Sequence, residues 1–266
     1  MKKGVFCLVL FFTIFLMFPG CRQSKPSEDK NASDLKDAIS GAILSQNASS
    51  YLCGECRAEG HILLTSEEKD GNTICYVIAS YGEYGFEDGN FIKVSGSGAI
   101  PCRITFDENM KVTEFKYPDD GAMYEKSIRK IFGTHYKSLE AFSLKDGNLG
   151  YDKLLDQEKV YAKAYLEKIG REDSPIGEYA DFDHKLLTDE GVSVEVSNNL
   201  LSDKRLGDYP YWIGNREAIE AGERYVYETS LDKSSGEIIY RKYSYNDGKT
   251  IEEIRFDLNS GLEIAE

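Results

Sequence analysis

The sequence predicts an α+β fold in which two antiparallel β-sheets with packed helices form two lobes. Three observations carry this. Several segments alternate apolar and polar residues between Asp-Gly or Ser-Gly turns, the period of a half-buried strand. The segments 33–47, 120–133 and 151–172 instead space their apolar residues by three and four, as helices do. The strand period then returns after "REDSPIGEYADFD", a turn-rich stretch at 171–183 that separates lobes at 34–172 and 183–266.

The chain opens with MKKGVFCLVLFFTIFLMFPG: two lysines, then an apolar run from Val5 to Phe18 interrupted only by Thr13. That run is short for a permanent span and has the layout of a secretory signal, so residues 1–20 are expected to be removed. Gly20-Cys21 resembles the bacterial lipobox, although Phe18 and Pro19 depart from its usual letters. The resemblance implies that the Cys21 thiol is acylated and becomes a membrane tether; the alternative is an ordinary secretory signal with an incidental cysteine. Each buried methylene contributes about 0.8 kcal/mol, so two or three chains hold stably where one does not. Residues 21–33 lack aromatic and large aliphatic side chains and read as a flexible spacer. The folded part is thus expected on the extracytoplasmic face of a cell membrane, lipid-anchored.

Removal of residues 1–20, which include Lys2 and Lys3, leaves 246 residues with 30 basic and 46 acidic side chains, a net charge of −16. Such a surface repels phosphate backbones and anionic lipid headgroups alike and argues against a nucleic-acid partner. The acids are spread along the chain, which suits a solubilising surface better than a binding patch.

The elements follow in order. Ser33 is a candidate N-cap for a helix whose stripe is Leu35, Ile39, Ile43 and Leu44. "AEGHILLTSEE", "NTICYVIASYGEY" and the segment ending "AIPCRITFDE" read as strands joined at Asp70-Gly71 and Asp88-Gly89. "MKVTEFKYP" is a fourth strand, with a parity change between Val112 and Phe115 that predicts a bulge. Two helices follow, the second with Leu154, Tyr161, Tyr165 and Ile169 on one face and Gly170 as C-cap. Beyond the boundary, "GVSVEVS", "RYVYETSL", "EIIYRKYSYN", "TIEEIRFDL" and "LEIAE" read as strands of the second sheet.

The stretch from "EGHILLTSEEKDGNTICYVIASYGEYGFEDGNFIKVSGSGAIPCRITFD" through "YPDDGAMYEKSIRKIFG" to "QEKVYAKAYLEKIGRE" resembles the extracytoplasmic C-terminal segment of Firmicute membrane metallopeptidases related to β-lactam-responsive antirepressor sensors. The resemblance covers about residues 57–172 and implies a fold and an envelope context, not a reaction. The chain has no His-Glu-x-x-His, so the zinc peptidase motif of those enzymes is missing. A detached sensory or accessory module is what the resemblance implies.

Cys53, Cys56, Cys75 and Cys102 remain after Cys7 and Cys21 are set aside, an even number that points first to disulfides in an exported protein. In a two-residue hairpin the numbers of paired residues have a constant sum; Asp88 with Gly89 and Cys75 with Cys102 share it. The two cysteines therefore face each other if the register survives the Gly-Ser-Gly at 96–98, and a bulge would separate them. Cys53-Gly-Glu-Cys56 is then a second disulfide, a redox dithiol, a free pair or half of a zinc site, the last disfavoured because Cys75 and Cys102 do not form a second close pair. It follows a helix instead of opening one, so it lacks the dipole that lowers thiol pKa in thioredoxin-type motifs.

Ser127-x-x-Lys130 has the spacing of an acyl-enzyme motif, but Lys249-Thr250-Ile251 lacks the glycine of its expected partner motif and lies too close to Ser244-Tyr245-Asn246. His61, His135 and His184 have no ligand spacing, so no metal or cofactor is expected. "GDYPYWIGNRE" gathers Tyr209, Tyr211 and Trp212 with Arg216, a candidate surface for a sugar or peptide; the alternative is that Trp212 plugs the second sheet's core. Phe86 and Phe91 pose the same choice. The function expected is a non-enzymatic binding or sensory module of the envelope, whose partners are the membrane, through the lipid, and an envelope protein, peptide or glycan. The competing class is an envelope thiol-disulfide oxidoreductase using Cys53 and Cys56.

Overall fold

The computed structural model describes residues 27–265. Cys21 and the leader lie outside the described residues, as does the first part of the expected spacer, residues 21–26. No helix among the described residues is long and apolar enough to cross a membrane.

Helix α1 (Ser27–Asn47) begins six residues before the expected N-cap, so the last part of the 21–33 spacer is helical. Its stripe behaves as the spacing predicts: Ile39, Ala42 and Ile43 are buried against Cys75, Val77, Ala79, Cys102, Ile104 and Phe106. Those residues form one face of a meander made by β1 (Cys56–Lys69), β2 (Asn72–Glu87), β3 (Asn90–Phe106) and β4 (Val112–Lys116). The tight turns between β1 and β2 and between β2 and β3 place Asp70, Gly71, Asp88 and Gly89 at positive φ, as Asp-Gly hairpins require. The bulge foreseen in the fourth strand is present: Phe106 faces Val112 and Thr105 faces Glu114, leaving Thr113 over.

The opposite face of the meander is covered by α2 (Tyr124–Phe132), α3 (Tyr136–Asp146) and α4 (Tyr151–Ile169). Leu154, Ala162 and Leu166 of α4 are buried, and Gly170 ends the helix in the left-handed region as a C-cap. Gly60 lets α4 settle on β1, since a Cβ there would lie 2.4 Å from the Leu154 carbonyl oxygen. Phe86 and Phe91 are core residues beneath α4.

The stretch foreseen as a boundary is stitched into the first half. β5 (Ile176–Glu178) runs parallel to β3, pairing Phe91 with Ile176. The segment around Val194, expected to be a strand, is instead helix α5 (Val194–Leu201). Ser193 accepts a hydrogen bond from the Val196 N–H as N-cap, and Val192, Val196 and Leu200 are buried one turn apart while Val194 faces solvent. The alternating valines satisfied both periods, and the cap with Leu200 decides for the helix. The segment is buried against the antiparallel strands β6 (Gly214–Glu220), β7 (Glu223–Asp232), β8 (Glu237–Ser244) and β9 (Thr250–Asp257). The C-terminal "LEIAE" contributes only an isolated bridge, Phe256 to Glu263, and β6 begins inside "GDYPYWIGNRE", the segment read as a candidate binding surface.

The two halves share one hydrogen-bonded sheet, of order β4-β3-β2-β6-β7-β8-β9. Strands β2 and β6 meet at a single residue pair, Glu87 with Arg216. The α+β class holds with one sheet continuous through that seam.

Candidate seam site

The seam is built from the end of β2 and the start of β6. The Asp88 N–H donates to the Asn215 carbonyl at 2.9 Å, and the Asn215 N–H donates back to the Asp88 carboxylate at 2.7 Å. Gly214 permits this approach, because a Cβ there would lie 2.3 Å from Asp88 Oδ2. Arg216 donates from Nε and Nη2 to Glu87 Oε1, at 3.1 and 2.9 Å, and its guanidinium lies 5.1 Å from the centre of the Trp212 ring. Glu87 is almost fully buried, so its charge needs this partner.

Around that pair the loop between β5 and β6 folds an aromatic cluster. His184 stacks on Tyr179 with ring centres 3.7 Å apart, and Trp212 meets His184 edge-on at 4.8 Å and Tyr211 at 5.0 Å. The Tyr179 and Tyr211 hydroxyls are 2.6 Å apart at the surface. Burial, followed by the hydrogen bond with Tyr211, pushes the Tyr179 phenol up, which keeps it neutral.

A second network lies behind β6. Arg171 holds the Glu217 carboxylate with both terminal nitrogens, at 2.6 and 3.0 Å. Arg224 reaches Glu217 at 2.6 Å and grips Glu55 at 2.7 Å through each of its terminal nitrogens, while the Tyr165 hydroxyl donates to Glu55. The Arg171 guanidinium lies 3.4 Å from the Phe86 ring centre. Charges alternate through the network, so each buried carboxylate has a bidentate or double partner.

After its one pair with β2, β6 parts from that strand because the segment Leu52–Glu55 enters beside it. The fork leaves a cleft of about 480 Å³ lined by Leu52, Cys53, Gly85, Phe86, Val94, Arg216 and Ile219, among others. Leu52 and Ile219 are exposed at its mouth, at 79 % and 48 %. Its lining mixes these apolar side chains with Arg216, Glu217 and Glu55.

The residues singled out by sequence divide accordingly. Tyr211, Trp212 and Arg216 come together at the seam, with Trp212 fully buried among Tyr179, His184 and Arg216. Tyr209 does not join them: it packs edge-on against Tyr227 and Tyr240 in the core of the second half. Glu87, Tyr179, Arg171 and Arg224 are not singled out by sequence, and His184 is weighed there only as a metal ligand, since most of their contacts join segments far apart in the chain; only the adjacent Arg216-Glu217 offers a signal.

All four described cysteines are free thiols. The expected facing of Cys75 and Cys102 fails because the β2–β3 register shifts twice, between Glu83 and Tyr84 and between Ala79 and Tyr81. Cys102 therefore faces Val77 and Cys75 faces Ile104, which places the two cysteines diagonally in the core under α1. Cys53 is exposed on the cleft rim, while Cys56 is buried with Sγ 3.7 Å from the Tyr161 carbonyl oxygen. Burial, aided by Glu83 and Glu55, pushes the Cys56 thiol up to about 11. Among the described residues, no group of three or more His, Cys, Asp or Glu side chains is arranged to hold a metal ion. Comparison with family models, curated proteins and solved structures gave no significant match.

Proposed function

We propose that this chain is a lipid-anchored, extracytoplasmic binding or sensory module of a bacterial cell envelope, without catalytic activity, and that the seam cleft holds its protein, peptide or glycan partner. The observation that carries the reading is the cleft itself. Its lining combines the exposed apolar side chains Leu52 and Ile219 with charged side chains close to where the halves of the sheet join through one pair. The polar groups beside it are committed to one another: Arg216 to Glu87, and Arg171 and Arg224 to Glu217 and Glu55. Such a rigid, prepaid set of ion pairs suits recognition better than proton transfer. The two-lobe description belongs to the same reading, with the lobes at 34–172 and 183–266 working as partners about the seam.

The oxidoreductase alternative is weakened by Cys56, whose buried thiol is held far from the thiolate that exchange chemistry uses.

The reading is tested in two parts on the intact protein in its host envelope. Metabolic palmitate labelling is expected on the wild type and lost in Cys21→Ala, which should also leave the membrane fraction. A photoreactive residue at Ile219 is expected to capture a partner that the same residue at exposed Leu144, in α3, does not. Unlabelled protein would sink the anchor, and equal capture from both positions would sink the cleft.

A further inference from the structure

A second cleft, of about 510 Å³, lies between α2 and the β3–β4 ladder, and its lining contrasts with the rest of the molecule. Arg103, Lys116, Lys126 and Lys130 converge on it, with Asp119 the only acid in the lining, in a chain of formal net charge −14. Arg103 and Lys116 are cross-strand partners, so both project from the same face of the sheet. Lys126 and Lys130 stand one turn apart on α2 and look across at them.

The cations are incompletely matched. Glu114 is shared between Arg103 and Lys116, at 2.5 Å from each. Lys126 and Lys130 have no ion-pair partner among the described residues, although the acidic chain offers a large excess of carboxylates. Arg103 spends Nη2 on Glu114 and Nη1 on the Ile131 carbonyl at 3.4 Å, and its Nε is a buried donor without an acceptor. That buried Nε leaves the guanidinium charge incompletely matched, and an anion held in the cleft would offset it electrostatically.

Ser127, at the back of this cleft, explains the Ser-x-x-Lys spacing without acyl chemistry. Its hydroxyl donates to the Tyr124 carbonyl and accepts from the Asp119 N–H, both at 2.9 Å, which fixes the loop before α2 against the helix. The hydroxyl is thus a structural tie, and Lys130 is left facing the cleft.

We propose that this cleft binds a phosphoryl group, as a phosphomonoester or phosphodiester. A tetrahedral anion with several acceptor oxygens can meet the lysine point charges together, beside the Arg103 guanidinium that Glu114 already holds, whereas the single carboxylate of Glu114 leaves both α2 lysines unmatched. The ligand source is either a soluble phosphate ester or an anionic lipid headgroup.

The test uses the full chain in neutral detergent. Glycerol phosphate is titrated by calorimetry at constant ionic strength, with potassium chloride as control. Binding is expected to weaken about tenfold or more in a Lys126→Gln/Lys130→Gln double variant, the scale of one lost charge-assisted hydrogen bond. Both lysines are exposed, so the variant is expected to keep the wild-type far-UV spectrum; Arg103→Lys provides a second, independent loss. Flotation with phosphatidylglycerol against phosphatidylcholine vesicles, comparing wild type and double variant, separates the sources. Lysine-dependent binding to either the ester or the anionic vesicles supports the site. No heat beyond the chloride control together with equal flotation of both proteins overturns it, as does an affinity unchanged by the double substitution.

Discussion

His184 presents Nε2 to Glu87 Oε2 at 3.3 Å while its Nδ1 lies 3.0 Å from the Phe182 carbonyl oxygen. A carbonyl only accepts, so Nδ1 is the donor in that contact. Glu87 is thus held through Oε1 by Arg216, while its Oε2, near His184, is a buried oxygen with no hydrogen-bond partner, at the only residue pair joining β2 to β6. Glu87→Gln keeps the shape and removes the charge. It is expected to destabilise the protein by about 2 kcal/mol, below the usual cost of breaking a buried pair because Arg216 is a third exposed and can turn to water. Urea unfolding followed by emission of Trp212, the single tryptophan, measures this; an unchanged midpoint would refute the role given to Glu87.

Gly60 supports a second expectation. A methyl group there would lie 2.4 Å from the Leu154 carbonyl oxygen and 2.8 Å from its Cα, both main-chain atoms of α4 that cannot rotate away. Gly60→Ala should therefore lift α4 from β1 and cost about 3 kcal/mol, the upper part of the range for overpacking. Gly71→Ser is the contrast: its site is open, so only the positive φ of 77° is strained and the loss should be smaller. Thermal melts of the two variants should rank Gly60→Ala well below Gly71→Ser.

The first half of the fold was legible because its signals are local. Asp-Gly turns, alternation and the stripe Ile39–Ile43 each involve residues a few positions apart, and the structure follows them. Ser193 to Val196 misled because valines two apart are also members of a four-residue period, and an N-cap serine outweighs β-branching once Leu200 has a core to enter. The seam was only half legible. Trp212 and Arg216 announced themselves by type, but Glu87 and His184 reach them through a strand pairing that sequence does not encode locally. The cysteine register failed at bulges beside Gly96, where a Cβ would lie 2.1 Å from the Tyr81 carbonyl oxygen.

Thiol reactivity should separate Cys53 from the other described cysteines. Cys53 is exposed, whereas burial pushes Cys56 and Cys75 up to about 11 and Cys102 higher still. Iodoacetamide at pH 8 followed by peptide mass mapping should modify Cys53 in the folded protein and leave Cys56, Cys75 and Cys102 unmodified until denaturant is added. Rapid modification of Cys56 would revive the dithiol enzyme.

Glu59 gives the acid-side expectation. Burial alone would raise its carboxyl, but hydrogen bonds from His61, Ser40 and Tyr161 outweigh that and hold it below the ordinary glutamate range. The contacts, at 3.0, 2.7 and 3.0 Å, tie β1 to α1 and α4. A carboxyl lowered in the folded state stabilises the fold above its unfolded pKa of about 4.3, and that contribution is lost as pH falls through the folded value. Unfolding free energy should therefore drop on acidification below about pH 4.3, with one proton setting a ceiling of about 1.4 kcal/mol per pH unit for this group. Glu59→Gln should be less stable at pH 7, because a charged acceptor of three bonds becomes a neutral amide, yet its stability should fall less steeply with acid than the wild type's. Urea titrations of both proteins between neutral pH and pH 3 provide the comparison, and parallel pH profiles would show that Glu59 carries no such linkage.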